Sequence, residues 1–354
     1  MTLSITKNGL CLQKNILNPD KRCFHQMTKI KKIEDIQKLS EDIKTEIRRF
    51  VVGYEDIFND LIITLLCGGH VLLEGIPGIA KTYLAKAFSG SLSLSMRRIQ
   101  ATPDLMPADI VGTRIYNPKT LEFEFRHGPI FSNLAVVDEI SRAPPKTQSA
   151  LLEAMQERQV TVDGFTLNLK EPFMVIATKN PIEFEGTFPL PEAQLDRFLM
   201  RPLMTYPGKK EEVEILSRKN IKGDMMDVKP AAEASTILSA QKLMHDNVQV
   251  SDGILDYIAE IVRNTREHTK VMLGGSPRGS VALLYAAKGY AIITEGRSFV
   301  VPDDVKAVAF NVLNHRLIVR PDILIESPEV KEDWSYKILQ EIIHEAIEQA
   351  VIPV

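Results

Sequence analysis

Residues 70–82 read HVLLEGIPGIAKT, an apolar stretch of strand length that runs through a Gly/Pro turn into the helical segment KTYLAKAFSGSL. Glycines in such a turn let backbone N–H groups wrap a phosphate, and the N-terminus of the helix adds positive potential. In loops of this kind the lysine reaches the outer phosphates and the threonine binds Mg²⁺. The sequence therefore predicts a nucleotide-binding loop formed by Gly75, Ile76, Pro77, Gly78, Ile79, Ala80, Lys81, Thr82 and Tyr83.

The surroundings of this loop predict the fold class. The general loop has glycine immediately before the lysine, where this chain has Ala80, so an ordinary strand–turn–helix connection stays an alternative for the loop taken alone. Further apolar stretches alternate with helical patterns such as residues 146–158. That alternation predicts an α/β fold with a parallel sheet flanked by helices. The strands are expected at RRIQA (97–101), LAVVDE (134–139), FMVIAT (173–178) and FLMRPL (198–203).

Polar residues follow two of these strands. Asp138 and Glu139 end LAVVDE, where Asp138 would lie near Mg²⁺ and Glu139 could polarise a water molecule. Asn180 follows FMVIAT and could position the attacking water, although Asn-Pro also favours a simple turn. Asp-Glu after an apolar strand is common, but its place two strands beyond the loop favours a functional interpretation.

Two arginines are candidates for contact with a γ-phosphate, whose charge a small nucleotide site must offset. Arg197 lies in EAQLDRF, and Arg278 follows Ser276-Pro277 at an expected helix start in GGSPRGS. For any single arginine, the usual explanation is that its charge keeps the protein surface soluble.

The domain organisation follows from where the strands stop. Two helical segments open the regular part at residue 33, and two hairpins are expected at 113–126 and 159–169, the second on an Asp-Gly turn. Beyond Pro207-Gly208 the patterns are helical at 209–219, 231–245, 252–268, 278–294, 303–314 and 334–350. We predict an α/β core with β-hairpin insertions at 33–207 and an all-helical domain at 208–354.

Composition limits the class of protein. The 354 residues are 44% hydrophobic and 25% charged, which excludes a disordered chain, a collagen-like fibre and a disulfide-stapled mini-protein. Residues 1–32 hold seven lysines and arginines against one acidic residue, so this extension carries +6 and the remainder −9 of the net −3. The acidic body argues against a nucleic-acid groove.

The basic extension at 1–32 has three interpretations: a disordered tail, a targeting or anionic-surface arm, or a stretch that is not native because translation starts at Met27. Three cysteines without CxxC or metal-site spacing fit a reducing compartment. No apolar run approaches the ~20 residues of a membrane span, and no signal peptide is evident. We expect a cytoplasmic protein.

Five blocks of sequence, taken together, resemble the MoxR family of AAA+ ATPases over about residues 35–354. The blocks are GIPGIAKT, RIQATPDLMPADIVG, GPIFSNLAVVDEISRAPPKTQSALLEAMQERQVTVDG, PFMVIATKNPIEFEGTFPLPEAQLDRF and GGSPRGSVALLYAAKGYA. Alanine before the lysine is usual in this family. The resemblance implies an AAA+ P-loop ATPase core with an all-helical C-terminal lid.

The resemblance also implies a role for each candidate residue. Lys81 and Thr82 match the Walker A pair, and Asp138 and Glu139 match the Walker B pair. Asn180 matches sensor 1, Arg197 the arginine that reaches a neighbouring subunit's nucleotide, and Arg278 the sensor-2 arginine of the lid. The hairpins resemble the helix-2 insert and the pre-sensor-1 hairpin, which face the central pore in related machines. Ser141 and Lys179 depart from the usual DEINRAPP and ATQNP.

For function, the resemblance implies hydrolysis of ATP with Mg²⁺ in a ring, expected to be a hexamer, that remodels, matures or activates partner complexes. Partners with von Willebrand factor A-like domains and clients needing metal or cofactor insertion are expected. Magnesium-chelatase-type subunits are near relatives. Two alternatives stay open: a nucleotide-gated binding module with negligible turnover, and a nucleic-acid motor, which the acidic body disfavours.

Overall fold

The computed structural model describes residues 30–181, 186–222, 227–325 and 333–353. Almost all of the basic extension at 1–32 therefore lies outside the described residues. The α-helices in the described part of the chain are α1 (Ile33–Arg48), α2 (Glu55–Leu66), α3 (Lys81–Gly90), α4 (Pro107–Val111), α5 (Pro145–Glu157), α6 (Glu192–Leu195), α7 (Lys209–Lys222), α8 (Ala234–Asn247), α9 (Asp252–Glu267), α10 (Pro277–Glu295), α11 (Pro302–Leu313), α12 (Pro321–Ile325) and α13 (Asp333–Glu348).

The strands are β1 (Val71–Gly75), β2 (Leu92–Ser93), β3 (Met96–Gln100), β4 (Gly112–Asn117), β5 (Glu122–His127), β6 (Leu134–Asp138), β7 (Gln159–Val162), β8 (Phe165–Asn168), β9 (Met174–Lys179), β10 (Leu203–Met204), β11 (Ala232–Glu233), β12 (Val271–Leu273) and β13 (Ile318–Val319). Five of them form the central sheet in the order β10-β1-β9-β6-β3, with every pair parallel. The prediction of an α/β fold with a parallel sheet is confirmed.

The segment expected as a strand at 198–203 is the one exception in the sheet. Its strand is limited to Leu203–Met204, with a single bridge between Met200 and Val71. The segment stays beside β1, because the N–H groups of Leu72 and Glu74 donate to the carbonyls of Met200 and Pro202 at 3.1 and 3.2 Å. Pro202 has no N–H to donate in return, which limits the pairing at this position. Arg201 N–H donates to the carbonyl of Asn311 in α11 at 2.7 Å, so this edge of the sheet also contacts the helical C-terminal part.

Both predicted hairpins are present. β4 pairs with β5 and β7 with β8, each antiparallel. In the second turn Asp163 and Gly164 have φ of 51° and 80°, the left-handed pair that a tight two-residue hairpin requires.

Among the described residues from 209 onward, the regular structure is helical apart from three short strands, as the patterns predict. One face of the sheet and the apolar sides of α1, α2 and the C-terminal helices share a continuous hydrophobic core. A second core lies between the other face and α5. Helices α1 and α2, which precede the first strand, both contact α10. The boundary near residue 207 stays a prediction. Among the described residues, no helix is both long and apolar enough to cross a membrane.

Candidate nucleotide site

The loop predicted to bind phosphate joins β1 to the N-terminus of α3. Gly75 must be glycine because a Cβ there would lie 2.5 Å from Ile79 Cδ1 and 2.6 Å from the carbonyl oxygen of Met204. Gly78 has φ +83° and Ala80 φ +66°, both left-handed. Ile79 is 5% exposed and anchors the loop in the core. The first N–H groups of a helix have no partner within it, so α3 begins where an anion would be bound.

Lys81, the first residue of α3, turns its side chain back over the loop. Its Nζ donates to the carbonyls of Gly75, of Ile76 at 3.3 Å and of Lys179 at 3.1 Å. The ammonium group therefore lies between the ends of the adjacent strands β1 and β9. Further along α3, Tyr83 faces the ammonium of Lys219 in α7, 5.3 Å from its ring centre.

The Thr82 hydroxyl connects the loop to β6. It donates to Asp138 Oδ1 at 2.9 Å, and the guanidinium of Arg98 in β3 pairs with the other carboxylate oxygen, Oδ2, at 2.5 Å. Asp138 is 3% exposed. A hydroxyl and a carboxylate oxygen fit Mg²⁺, which commonly takes one or two protein oxygens and completes its shell with phosphate and water.

Glu139 follows at the end of β6 with φ +57°, a left-handed conformation uncommon outside glycine. Its backbone N–H donates to Thr178 Oγ1 at 2.9 Å, which fixes this turn to β9. The carboxylate accepts from Gln100 at 3.4 Å and lies 3.3 Å from Arg142 Nε. Glu139 is thus held between three neighbours beside Asp138.

Asn180 comes directly after β9 and is 5% exposed. Since β9 lies between β1 and β6 in the sheet, the carboxyl ends of these three strands are adjacent. The fold therefore brings together the ends that carry Lys81, Asp138, Glu139 and Asn180, as parallel strands do.

The two arginines lie elsewhere. Arg197 follows α6 and lines a cavity of about 330 Å³ against α5, beside Glu153 and Glu157, and its Nε is buried without a hydrogen-bond partner among the described residues. Arg278 is an exposed second residue of α10, with no hydrogen bond or ion pair in the described part of the chain. The structure places neither in contact with Lys81.

Three polar residues at the site were missed from sequence: Arg98, Gln100 and Thr178. Each contacts Asp138 or Glu139 because of the order of strands in the sheet, with Gln100 directly opposite Asp138 in the pairing of β3 with β6. The polar side chains in RRIQ, on a strand otherwise expected to be apolar, were the one available signal.

A larger cavity of about 1330 Å³ lies away from the loop, between α2, α10, α11 and α13. Asp60 lines it and accepts a hydrogen bond from Asn311 at 2.8 Å. Burial, aided by the nearby charge of Asp56, raises the pKa of Asp60 to about 7. Within the described residues, no group of three or more His, Cys, Asp or Glu is arranged to hold a metal, so this cavity offers no cluster of that kind.

Known proteins match both parts of the chain. The family model described as "ATPase family associated with various cellular activities (AAA)" matches residues 70–200, and the AAA lid domain model matches residues 263–334. The chain is 47% identical to the uncharacterized protein YeaC of Bacillus subtilis over 83% of its length and 91% of that protein.

Relatives with functional names match nearly as much of the chain. Chaperone MoxR1 of Mycobacterium tuberculosis is 42% identical over 80% of this chain and 78% of that protein, and protein MoxR of Paracoccus denitrificans is 31% identical over 82% and 91%. A solved structure from Cytophaga hutchinsonii, provisionally described as an ATPase, superposes with a TM-score of 0.80 at 37% identity, covering 90% of this chain and 96% of that one. With the loop, the paired strand ends and the helical lid, these matches show that the chain belongs to the MoxR family of AAA+ ATPases.

Proposed function

We propose that this protein hydrolyses ATP in a ring assembly, a hexamer by family analogy, and uses the energy to remodel, mature or activate partner protein complexes. The observation that carries the proposal is the 2.9 Å hydrogen bond from Thr82 to Asp138, with Glu139 next in the chain. It joins the loop of the Walker A pair to the strand end of the Walker B pair, which is the arrangement that phosphoryl transfer needs.

Each residue then has a defined task. Lys81 pairs with the outer phosphates, and Thr82 and Asp138 hold Mg²⁺, which supplies charge stabilisation to the phosphates when bound. Glu139 orients the attacking water and accepts its proton, and Asn180 helps to align that water. Arg278 contacts the nucleotide from the lid.

A ring is supported by the position of Arg197. This residue lies against α5 and away from its own loop, with a buried Nε that lacks a partner among the described residues. A head-to-tail contact with a second copy would bring it to that copy's phosphates, and such contacts generate closed rings when the rotation closes.

A remodelling role is supported by the relative named chaperone MoxR1 and by exposed apolar side chains on the hairpins. The partners that we propose carry von Willebrand factor A-like domains, and insertion of a metal or cofactor is the client step. Cytoplasmic location is part of the same proposal.

The test is ATP turnover by Lys81→Ala and Glu139→Gln in the assembled protein, with Glu295→Gln, an exposed carboxylate on α10, as the matched control. We expect both site variants to lose at least ~100-fold in kcat. Glu139→Gln should keep ATP binding, measured with a fluorescent ATP analogue. Substantial turnover by either variant contradicts the mechanism. Nucleotide-dependent partner binding without turnover in the wild type would favour a gated binding module.

A further inference from the structure

The carboxylate of Glu74 occupies an unusual place in the sheet. It is the residue of β1 immediately before Gly75, in a strand that is buried along its whole length, and its side chain is 3% exposed. A buried carboxylate is tolerated when cations and hydrogen bonds replace water. Burial alone would raise the pKa of Glu74, but attraction to Arg201 and Lys179 outweighs it, and the pKa is lowered.

The first cation comes from the strand that carries Asn180. Lys179 is directly opposite Glu74 in the pairing of β1 with β9, and its Nζ lies 3.0 Å from Glu74 Oε1. The backbone carbonyl of Lys179 accepts a hydrogen bond from Lys81 Nζ at 3.1 Å. Lys179 therefore holds Glu74, the residue before the loop, with its side chain, and it holds the ammonium group of Lys81 with its backbone carbonyl.

The second cation comes from the segment that runs beside β1 at the edge of the sheet and contacts the helical domain. Arg201 Nη1 lies 3.4 Å from Glu74 Oε2, and its side chain is 11% exposed. Arg201 Nε and Nη2 donate to the side-chain and backbone oxygens of Asn314 at 2.9 and 2.7 Å. Asn314 Nδ2 donates back to the carbonyl of Arg201 at 2.9 Å. Glu74 is therefore connected to the end of α11.

The same short segment of the helical domain also contacts the chain beside Arg197. Arg316 Nε pairs with Asp196 at 2.8 Å, and its Nη2 donates to the carbonyl of Phe198 at 2.7 Å. Residues 314–316 therefore contact both the buried pair at Glu74 and the residue preceding Arg197. A displacement of residues 314–316 would therefore move both the ion pairs at Glu74, beside the phosphate loop, and the backbone next to Arg197.

We infer that Lys179 and Arg201 are positioning residues for hydrolysis: through Glu74 they fix the phosphate loop against Asn180 and transmit the position of residues 314–316 to Lys81. This inference rests on the proposed function. The side chains of Lys179 and Arg201 both pair with Glu74, and we assign their effect to that carboxylate. A purely structural ion pair would change thermal stability and leave the kinetic constants alone, whereas a positioning pair changes kcat.

The experiment compares Lys179→Met, Lys179→Arg and Arg201→Lys with Lys242→Met, which removes the same charge from the exposed face of α8. We expect Lys179→Met to lower kcat about tenfold with KM for ATP within about twofold. Lys179→Arg should keep most of kcat because a guanidinium can still reach Glu74. Arg201→Lys should lower kcat, since a single ammonium nitrogen cannot replace the three guanidinium nitrogens that contact Glu74 and both oxygens of Asn314. Unchanged kcat in Lys179→Met, or an equal loss in Lys179→Arg, would overturn the inference.

A second measurement separates this inference from the proposed function. Amide hydrogen exchange of residues 312–318 is followed with and without a non-hydrolysable ATP analogue, which needs no turnover. We expect the analogue to protect this segment in the wild type and in Lys242→Met, and to lose that effect in Lys179→Met and Arg201→Lys despite retained binding. Equal protection in all four proteins overturns the inference, whether or not the wild type hydrolyses ATP. Absent turnover in the wild type overturns the proposed function, whereas the exchange difference still tests whether Lys179 and Arg201 connect the phosphate loop to residues 314–316.

Discussion

The ends of the central strands and the two hairpins differ in which side chains they bury and which they expose. At the strand ends, polar side chains are buried: Asp138, Thr178 and Asn180 are 3%, 2% and 5% exposed. On the hairpins, large apolar side chains are exposed: Phe123 and Phe165 are 59% and 57% exposed. Both arrangements run against the usual distribution of residue types, in which apolar groups are inside and charges outside.

The two distributions indicate the kind of partner that each region contacts. Buried polar groups in fixed positions suit a small charged ligand that replaces their water. Exposed apolar groups close together suit a macromolecular surface. The guanidinium of Arg114 lies 5.5 Å from the ring of Phe123 and 5.1 Å from that of Phe165, so it joins the two hairpins into one surface. The second hairpin also lies in the chain between the strands that carry Glu139 and Asn180.

The largest expected effect concerns completion of the strand-end site by a second copy. Arg197→Ala should keep ATP binding and lose about 100-fold in turnover, because the charge opposite the leaving phosphate is missing. Mixing Arg197→Ala with Lys81→Ala subunits should restore part of the turnover, since one of the two orientations of a mixed contact pairs the intact loop of the first variant with the intact arginine of the second. The measurement is ATPase rate against mixing ratio. A mixture no more active than the average of its components would show that Arg197 does not act across a contact.

The next prediction tests whether the hairpin surface acts independently of turnover at the strand ends. A Phe123→Ser, Phe165→Ser double variant should keep basal turnover within about twofold, because neither ring contacts the strand-end residues. Its ability to suppress aggregation of heat-denatured citrate synthase should fall several-fold. The control is Val213→Ser, which removes a similarly exposed apolar side chain from α7. An equal loss in the control would show that the hairpins are not a special surface.

The smallest effect is thermal and concerns Asp60, a buried carboxylate that forms no ion pair among the described residues. Its pKa is raised to about 7 from an ordinary 3.8, so the folded chain holds a proton that the unfolded chain has released. Stability from this group is present at low pH and is lost as pH rises from about 4 to about 7. Asp60→Asn should therefore raise the melting temperature by a few degrees more at pH 8 than at pH 5. The same shift at both pH values would contradict the assignment.

Sequence reasoning recovered the strands, the helices and the strand–turn–helix at residues 71–90 because each is a local signal. The strand, the glycine turn and Lys81 are contiguous, and Asp163-Gly164 specifies its own hairpin. Contacts that depend on strand order could not be read in the same way. Arg98 and Asp138 are 40 residues apart and meet only because β3 is placed next to β6. The strand expected at 198–203 is shortened for a local reason, since Pro202 has no N–H to pair with β1.

Ala80 has a consequence for the entropy of nucleotide binding. An L-residue in the left-handed region costs about 1–2 kcal/mol, which glycine avoids. Glycine would also let the loop sample many more conformations before a ligand arrives, and that freedom would be lost on binding. With alanine at φ +66°, the chain gives up some folding stability for a narrower loop ensemble. The backbone preceding Lys81 is thereby arranged for phosphate in advance, and less disorder has to be removed each time a nucleotide binds.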